Sequence, residues 1–307
     1  MMIKEPKQVL IVGGSGFIGT KLAEVLLQAG SHVVIADIVP PRVKDSRVGY
    51  FHVDFAKDSI DLHIIRECDA VINLAGAPIS KRWTRGYKKV MYESRVATTR
   101  KLVALIGQLE TKPKVLVNAS ASGFYGDCKE ELLQEGHECG TDFLAELCRD
   151  WEAEALKAES FGVRVVCIRT ANVLGPGGLL TALTPLFKKG LGGYFGSGAQ
   201  RMPWIHWKDI VRVYLFALDT EISGPVNVGA GNTPTQKELF CALQKSIHAP
   251  FLWRIPYFVA RIVIGEFAQA LVGSQNTDSH KLHDAGFAHE FSNADQALDD
   301  IVRASNT

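Results

Sequence analysis

Three glycines, Gly13, Gly16 and Gly19, follow the apolar run VLIV and open a helix-period segment that closes at Gly30. A second apolar run, SHVVIADI, comes next. Strand, tight glycine turn, helix and strand make the βαβ unit of a parallel sheet, and few other folds accommodate that order. The GxxGxxG spacing in this context is the pattern of a dinucleotide-binding turn. Absent side chains let the backbone approach a pyrophosphate, and the helix N-terminus presents unpaired N–H groups with a partial positive charge. Ser15, Phe17 and Ile18 lie inside the same turn and are expected to touch the cofactor with the glycines. The alternative is that the glycines serve only to make the turn tight.

Asp37 ends the second apolar run, 24 positions after Gly13. An acidic side chain there accepts hydrogen bonds from the adenosine ribose and repels a 2′-phosphate. NAD is therefore the expected cofactor, with NADP as the alternative because Arg42 and Arg82 are close enough in sequence to meet a phosphate. Further on, Asp54 and Phe55 in VDF are placed to meet the adenine, and Leu74, Ala75 and Gly76 in NLAG offer a small strand end for the dinucleotide to cross. For Asp54, a plain helix N-cap is the competing assignment.

The alternation continues through DAVINLAG, a helix over SRVATTRKLVALIGQL, the strand KVLVNASA, a helix over DFLAELCRDWEAEALKAESFG, and VRVVCIRTANVL. The last run suits a strand buried on both faces. The expected fold is α/β, a doubly wound parallel sheet of the Rossmann kind with a smaller mixed or helical C-terminal, substrate-side region. Residues 1–246 form the dinucleotide-binding domain, with substrate-side elements from about 175, and 247–307 a small, mostly helical one.

The 307 residues carry 34 Lys+Arg against 33 Asp+Glu, with 47% hydrophobic residues. A chain of this size forms a core without disulfides or metals. Its net charge of +1 leaves no basic surplus for a nucleic acid partner. No His, Cys, Asp or Glu grouping has metal spacing, so no metal site is expected. Cys68, Cys128, Cys139, Cys148, Cys167 and Cys241 form no CxxC pair, which points to reduced thiols and a cytoplasmic protein. The run FVARIVIGEFAQALV carries Arg261 and Glu266 and is too short to span a membrane. It is expected as one amphipathic helix packed on the body, with no membrane partner; a patch-forming or membrane-touching helix is the alternative.

The strings GGSGFIG, NLAG, SASGFYGD, RTANVLGPGG, WIHWKDI and PVNVGAG, in this order and spacing, resemble the extended short-chain dehydrogenase/reductases, the superfamily of sugar-nucleotide epimerases and dehydratases. ISKRWT, ESRVATTRKL, FLAELCRDWEAEAL, KKGLGGYFGSGAQRMPWIH and GEFAQALVGSQ are similar to one atypical branch, epimerases sometimes labelled cell-division inhibitors, whose C-terminal segment is a small domain of unknown function. The resemblance implies an NAD(P)-dependent epimerase or oxidoreductase acting on a small polar molecule such as a nucleotide sugar. It also implies a possible homodimer built on two helices.

Active members carry YxxxK on the helix that here contains WEAEAL, where the tyrosine moves a proton. Aligning the two places Glu146 at the tyrosine position and Asp150 at the lysine position, and neither can do the original work at its ordinary pKa. A buried, protonated Glu146 is one substitute acid. Others are Ser120 or Ser122 at the strand end and Tyr125, the nearest phenol. The resemblance further places Arg169 to Gly178, Gln200, Arg201, Trp204, His206 and Asp209 on the substrate side, with Arg201 on a diphosphate and Trp204 stacked on a base or sugar. For His206, a structural role is the stronger expectation. Loss of YxxxK also admits a dinucleotide-binding sensor or scaffold without chemistry.

Overall fold

The computed structural model describes residues 7–305 except 56 and 59. The first half contains β1 (Gln8–Val12), α1 (Phe17–Gln28), β2 (His32–Asp37), β3 (Val48–His52), β4 (Ala70–Asn73), α2 (Arg85–Tyr92), α3 (Thr98–Gln108), β5 (Val115–Ala121), β6 (Leu132–Leu133) and α4 (Phe143–Leu156). The second contains β7 (Arg164–Thr170), β8 (Asn172–Leu174), α5 (Leu179–Lys188), β9 (Gly193–Phe195), β10 (Trp204–His206), α6 (Trp207–Asp219), β11 (Gly224–Val228) and α7 (Gln236–Ser246). The chain ends through β12 (Trp253–Ile255), α8 (Tyr257–Ile264), α9 (Phe267–Val272), β13 (Asn276–Thr277), α10 (His280–Asp284) and α11 (Ala294–Ser305).

Seven strands form one parallel sheet in the order β11-β7-β5-β4-β1-β2-β3. Strand order reverses on either side of β1, which opens a crevice between the C-terminal ends of β1 and β4. Successive residues of β1 alternate between two cores: Val9 and Ile11 meet Leu22 and Leu26 of α1 and Tyr214 of α6, whereas Leu10 and Val12 meet Leu102 and Ile106 of α3. Both faces are covered, so each central strand reads as a continuous apolar run.

The predicted helix over SRVATTRKLVALIGQL is interrupted: α2 passes through a wider π turn over Glu93–Ala97 before α3 begins. Such turns add a residue to the helix and frequently mark functional positions. The chain after 246 shares its packing with the substrate-side elements. Strand β12 pairs with β9, β13 pairs with β6, and Ala297, Leu298 and Ile301 of α11 enter a core with Leu239 and Leu243 of α7 and Trp204 of β10.

The segment FVARIVIGEFAQALV is two short helices, α8 and α9, rather than one. Gly265 at φ +66° ends α8 in a conformation that a side chain would oppose. On α8, Tyr257, Phe258, Val259 and Ile262 are exposed, while Ala260 is buried. Among the described residues no helix is long and apolar enough to cross a membrane.

Shared packing has a measurable consequence. Leu298→Ala, at a fully buried position, should cost about 2–5 kcal/mol in urea unfolding, in one transition followed equally by probes on both sides of residue 246. An independent, earlier transition of the C-terminal segment would contradict the shared core.

Candidate functional site

The glycine turn is built from three separate steric demands. Gly13 has φ +77°, and a Cβ there would lie 2.8 Å from the Ala75 nitrogen at the end of β4. A Cβ on Gly19 would stand 2.6 Å from Gly14, so the third glycine lets α1 pack on the turn. Gly16 differs: its Cβ would meet only the Gly13 carbonyl, at 3.5 Å. Its missing side chain is thus not demanded by the fold and leaves the head of α1 open. As N-cap of α1, Gly16 supplies no side-chain acceptor, and the first turn holds no acidic residue. The leading N–H groups suit an anion.

Asp37 caps this turn from β2. Its carboxylate accepts from the Ser15 N–H at 2.9 Å and the Val39 N–H at 3.2 Å, and the Ser15 hydroxyl donates to the Val39 carbonyl at 2.6 Å. The neighbouring Ile38 is 58% exposed, so an apolar side chain stands next to Asp37.

Beyond the end of β3, Asp54 pairs with Lys57 at 2.7 Å, and no described helix starts on it. The cap assigned to it falls instead to Asp61, which opens a short 3-10 turn at Leu62. Phe55 is buried among Ile64, Ile65 and Leu102, so its ring belongs to the core and is withdrawn from the crevice.

A cleft of about 360 Å³ runs from the glycine turn to the end of β5. Gly13, Gly16, Phe17, Ile18, Gly19 and Leu74 form one wall, Ser120 sits at the floor, and Leu144, Leu147, Cys148 and Trp151 of α4 form the other wall. Gly175 and Gly177 leave room for Phe17, whose ring would touch any Cβ there. Ala75 and Gly76 border the turn without lining the cleft; a Cβ on Gly76 would strike the Arg95 guanidinium at 2.7 Å.

Helix α4, capped by Asp142 through the Ala145 N–H, determines what faces the reacting region. A 3.6-residue period presents Leu144, Leu147, Cys148 and Trp151 together. Glu146 is exposed outside that lining, and Asp150 is held by Arg149 and the Tyr92 hydroxyl. Two pairs four apart meet the cleft, Leu147 with Trp151 and Leu144 with Cys148, one and two positions away from the sequence alignment. A buried, protonated Glu146 is ruled out by its exposure. Burial pushes the Cys148 thiol up to about 12, so it stays a neutral thiol at physiological pH.

Of the two serines, Ser120 meets the cleft. Ser122 opens a 3-10 turn and points its hydroxyl at Gln275 Oε1, 2.8 Å away. Tyr125 also lies off the cleft, with its hydroxyl accepting from Arg169 Nη1 at 2.9 Å and donating to Asn227 Oδ1 at 2.7 Å.

Beneath Ser120 lies a buried charge pair. Glu152 binds Arg169 through both oxygens, at 2.9 and 2.8 Å, and accepts the Ser120 hydroxyl at 2.5 Å. Burial by itself would lower the Arg169 pKa; the carboxylate beside it outweighs that and holds the guanidinium firmly protonated. Arg169 also lies 3.5 Å over the Phe124 ring. It is consumed by structure rather than offered to a ligand.

The other substrate-side expectations fare similarly. Thr170 and Val173 line the cleft, but Trp204 is fully buried and Arg201 pairs with Glu130 at 2.8 Å. The Gln200 amide donates to Gln236, and Asp209 accepts from the backbone of Glu290 and Phe291. Trp204 therefore cannot stack on a base, nor is Arg201 waiting for a diphosphate.

Arg95 was not singled out by the sequence. It comes from the π turn, packs 5.3 Å from the Trp151 ring and lines the cleft beside Gly76. Its hydrogen bond is to the Met91 carbonyl at 3.4 Å, and among the described residues no carboxylate pairs with it. Burial pulls its pKa down, as expected of a cation short of counter-charge. The one available signal was position within ESRVATTRKL, and a pattern of residue types does not reveal a π turn.

The profile of the NAD dependent epimerase/dehydratase family matches residues 9–229, and that of DUF1731, a domain of unknown function, matches 255–301. An epimerase family protein of Staphylococcus haemolyticus is 35% identical over 301 residues, 97% of this chain and 100% of that one. The crystal structure of a human epimerase family protein, solved with NADPH, superposes with a TM-score of 0.85 at 28% identity, covering 96% of this chain and 99% of that one. A nucleoside-diphosphate sugar epimerase from Corynebacterium glutamicum gives 0.77 at 28% identity, over 97% of this chain and 58% of that one.

His206 is structural, and its burial is testable. Its Nδ1 accepts the Lys208 N–H, its ring stacks 3.8 Å from Phe291, and burial pulls its pKa down to about 4. An unfolded histidine titrates near 6.5, so the unfolded chain binds the extra proton first and stability falls as pH drops from about 6.5 toward about 4. The loss should approach about 3 kcal/mol at the lower end. His206→Asn, which can still cap α6, should flatten that part of the stability curve relative to the parent; an unchanged slope would refute the neutral, buried state.

Proposed function

The chain belongs to the NAD dependent epimerase/dehydratase family, and from that premise we propose that it binds NAD(H) across Gly13–Gly19 and exchanges hydride with a small polar substrate, nucleotide sugars being the class. One observation carries this reading: a single cleft joins the open head of α1 to Ser120 and to Arg95, a cation with no carboxylate partner among the described residues. When bound, the dinucleotide supplies the hydride acceptor or donor.

The chain's residues supply the rest. Backbone N–H groups after Gly16 and the Arg95 guanidinium hold the diphosphate oxygens. Asp37, with Ile38 beside it, receives the ribose hydroxyls and disfavours a 2′-phosphate, which supports NAD over the NADPH found with the human relative. Leu74, Ala75 and Gly76 give the strand end over which the dinucleotide passes, and Asp54, two residues past β3, meets the adenine. Wall residues Leu144, Leu147 and Trp151 exclude water from the reacting face.

Ser120 has an unusual assignment. Ionised Glu152 can only accept, so the serine proton is committed to it. The hydroxyl's lone pairs then face the cleft and accept from a substrate O–H, which positions an alcohol. A second reading, a sensor that binds the dinucleotide without turnover, is favoured by the α4 wall, since none of Leu144, Leu147, Cys148 and Trp151 replaces a tyrosine and lysine as proton carriers.

Two measurements decide among these. Fluorescence titration should show NADH binding at least about tenfold tighter than NADPH, with the preference reduced in Asp37→Ser; equal affinity for both would remove the Asp37 assignment. In assays across a nucleotide-sugar panel, Ser120→Ala should lower kcat/KM by about 10–100-fold while leaving NADH binding intact. Dinucleotide binding with no turnover anywhere in the panel would select the sensor.

A further inference from the structure

The strip from Phe251 to Ile262 violates the pattern of the rest of the surface. Nine of its twelve residues are exposed, among them Phe251, Trp253, Tyr257, Phe258 and Ile262. Helix α8 has no polar face, its sequence being YFVARIVI, and a helix apolar all round is ordinarily buried or in contact with lipid. Here Ala260 turns inward while Phe258 and Ile262, one turn apart, project outward at 66% and 72% exposure. Arg261 is exposed beside them.

The strip widens through α5 and the turn after it. Trp253 Nε1 donates to the Gly190 carbonyl at 2.8 Å, the Phe251 and Trp253 rings lie 5.6 Å apart, and exposed Leu186 and Leu191 flank Gly190. Residues 186–191 and 251–262 together carry Lys188, Lys189, Arg254 and Arg261, and neither segment has an aspartate or glutamate. All four cations are exposed.

From this juxtaposition of outward aromatic and aliphatic side chains with unopposed cations, we infer that α8 and the adjoining Phe251–Trp253 edge form a docking surface for an anionic lipid headgroup layer. Apolar side chains would enter the boundary between headgroups and acyl chains, with Trp253 and Tyr257 at the level where amphipathic rings settle. Lys188, Lys189, Arg254 and Arg261 would meet the negative surface. A second copy of the chain fits less well, because a two-fold contact brings the same patch against itself and sets these cations against one another.

The test uses the full chain and extruded vesicles, either phosphatidylglycerol with phosphatidylcholine or phosphatidylcholine alone, separated by sedimentation. The parent protein should pellet with the anionic vesicles, be released as salt is raised, and remain largely in solution with the neutral ones. Replacing Phe258 and Ile262 together by serine should lower the partition about tenfold or more with unchanged Tm and unchanged NADH affinity. Arg261→Glu should weaken binding to the anionic vesicles. The inference is overturned if the parent stays in solution with anionic vesicles or if the double variant sediments like the parent. It is equally overturned if, without lipid, the parent is a dimer at sedimentation equilibrium that the double variant converts to monomer.

Discussion

Gly13 meeting the backbone of Leu74 and Ala75 at under 3 Å from where a Cβ would be is the contact on which the site rests. It draws the ends of β1 and β4 together at the point where strand order reverses, and it turns the chain so that α1 begins with unpaired N–H groups facing outward. Gly19 completes the junction by letting the helix lie against Gly14. With those two positions taken by the fold, Gly16 is left as the glycine whose missing side chain the packing does not require, the position the proposed dinucleotide site uses.

Across the crevice the governing interaction is the Glu152–Arg169 pair. It ties α4 to β7 below the end of β5, and its one spare hydrogen bond fixes the Ser120 hydroxyl. Removing one member would strand a buried charge, which typically costs several kcal/mol. The same pair explains why Tyr125 is withdrawn from the cleft, since the Arg169 fork claims its hydroxyl. The cleft therefore combines an apolar helix wall, one serine whose proton is already committed, and Arg95 at the rim. That set suits the proposed binding and orienting role, and it lacks the tyrosine and lysine of YxxxK.

Much of this was legible in the chain. Alternating apolar runs and helix-period segments forecast the parallel sheet, because each strand is buried on both faces and cannot tolerate polar interruption. Gly13, Gly16, Gly19 and Asp37 could be placed because their roles are local: a turn, a helix start and a strand end. What could not be read is what depends on rotation or on distant partners. A shift of one or two residues on α4 exchanges exposed Glu146 for Leu147 or Leu144, since residues one or two apart on a helix point in different directions. The burial of Trp204, Arg201 meeting Glu130, and Arg95 emerging from a π turn all depend on tertiary contacts with no local sequence mark. Likewise the exposure of α8 could not follow from its composition, which taken alone forecasts burial.

The central claim is that the open head of α1 grips a dinucleotide. Isothermal titration calorimetry of NADH against the parent protein and Gly16→Val tests it most directly, because a side chain at that position meets little of the fold itself. The account predicts that the parent binds and that the variant, with an unaltered circular dichroism spectrum, loses that affinity by about a hundredfold or more. A parent protein that takes up no NADH at millimolar concentration, or a variant that binds it equally well, would contradict the account.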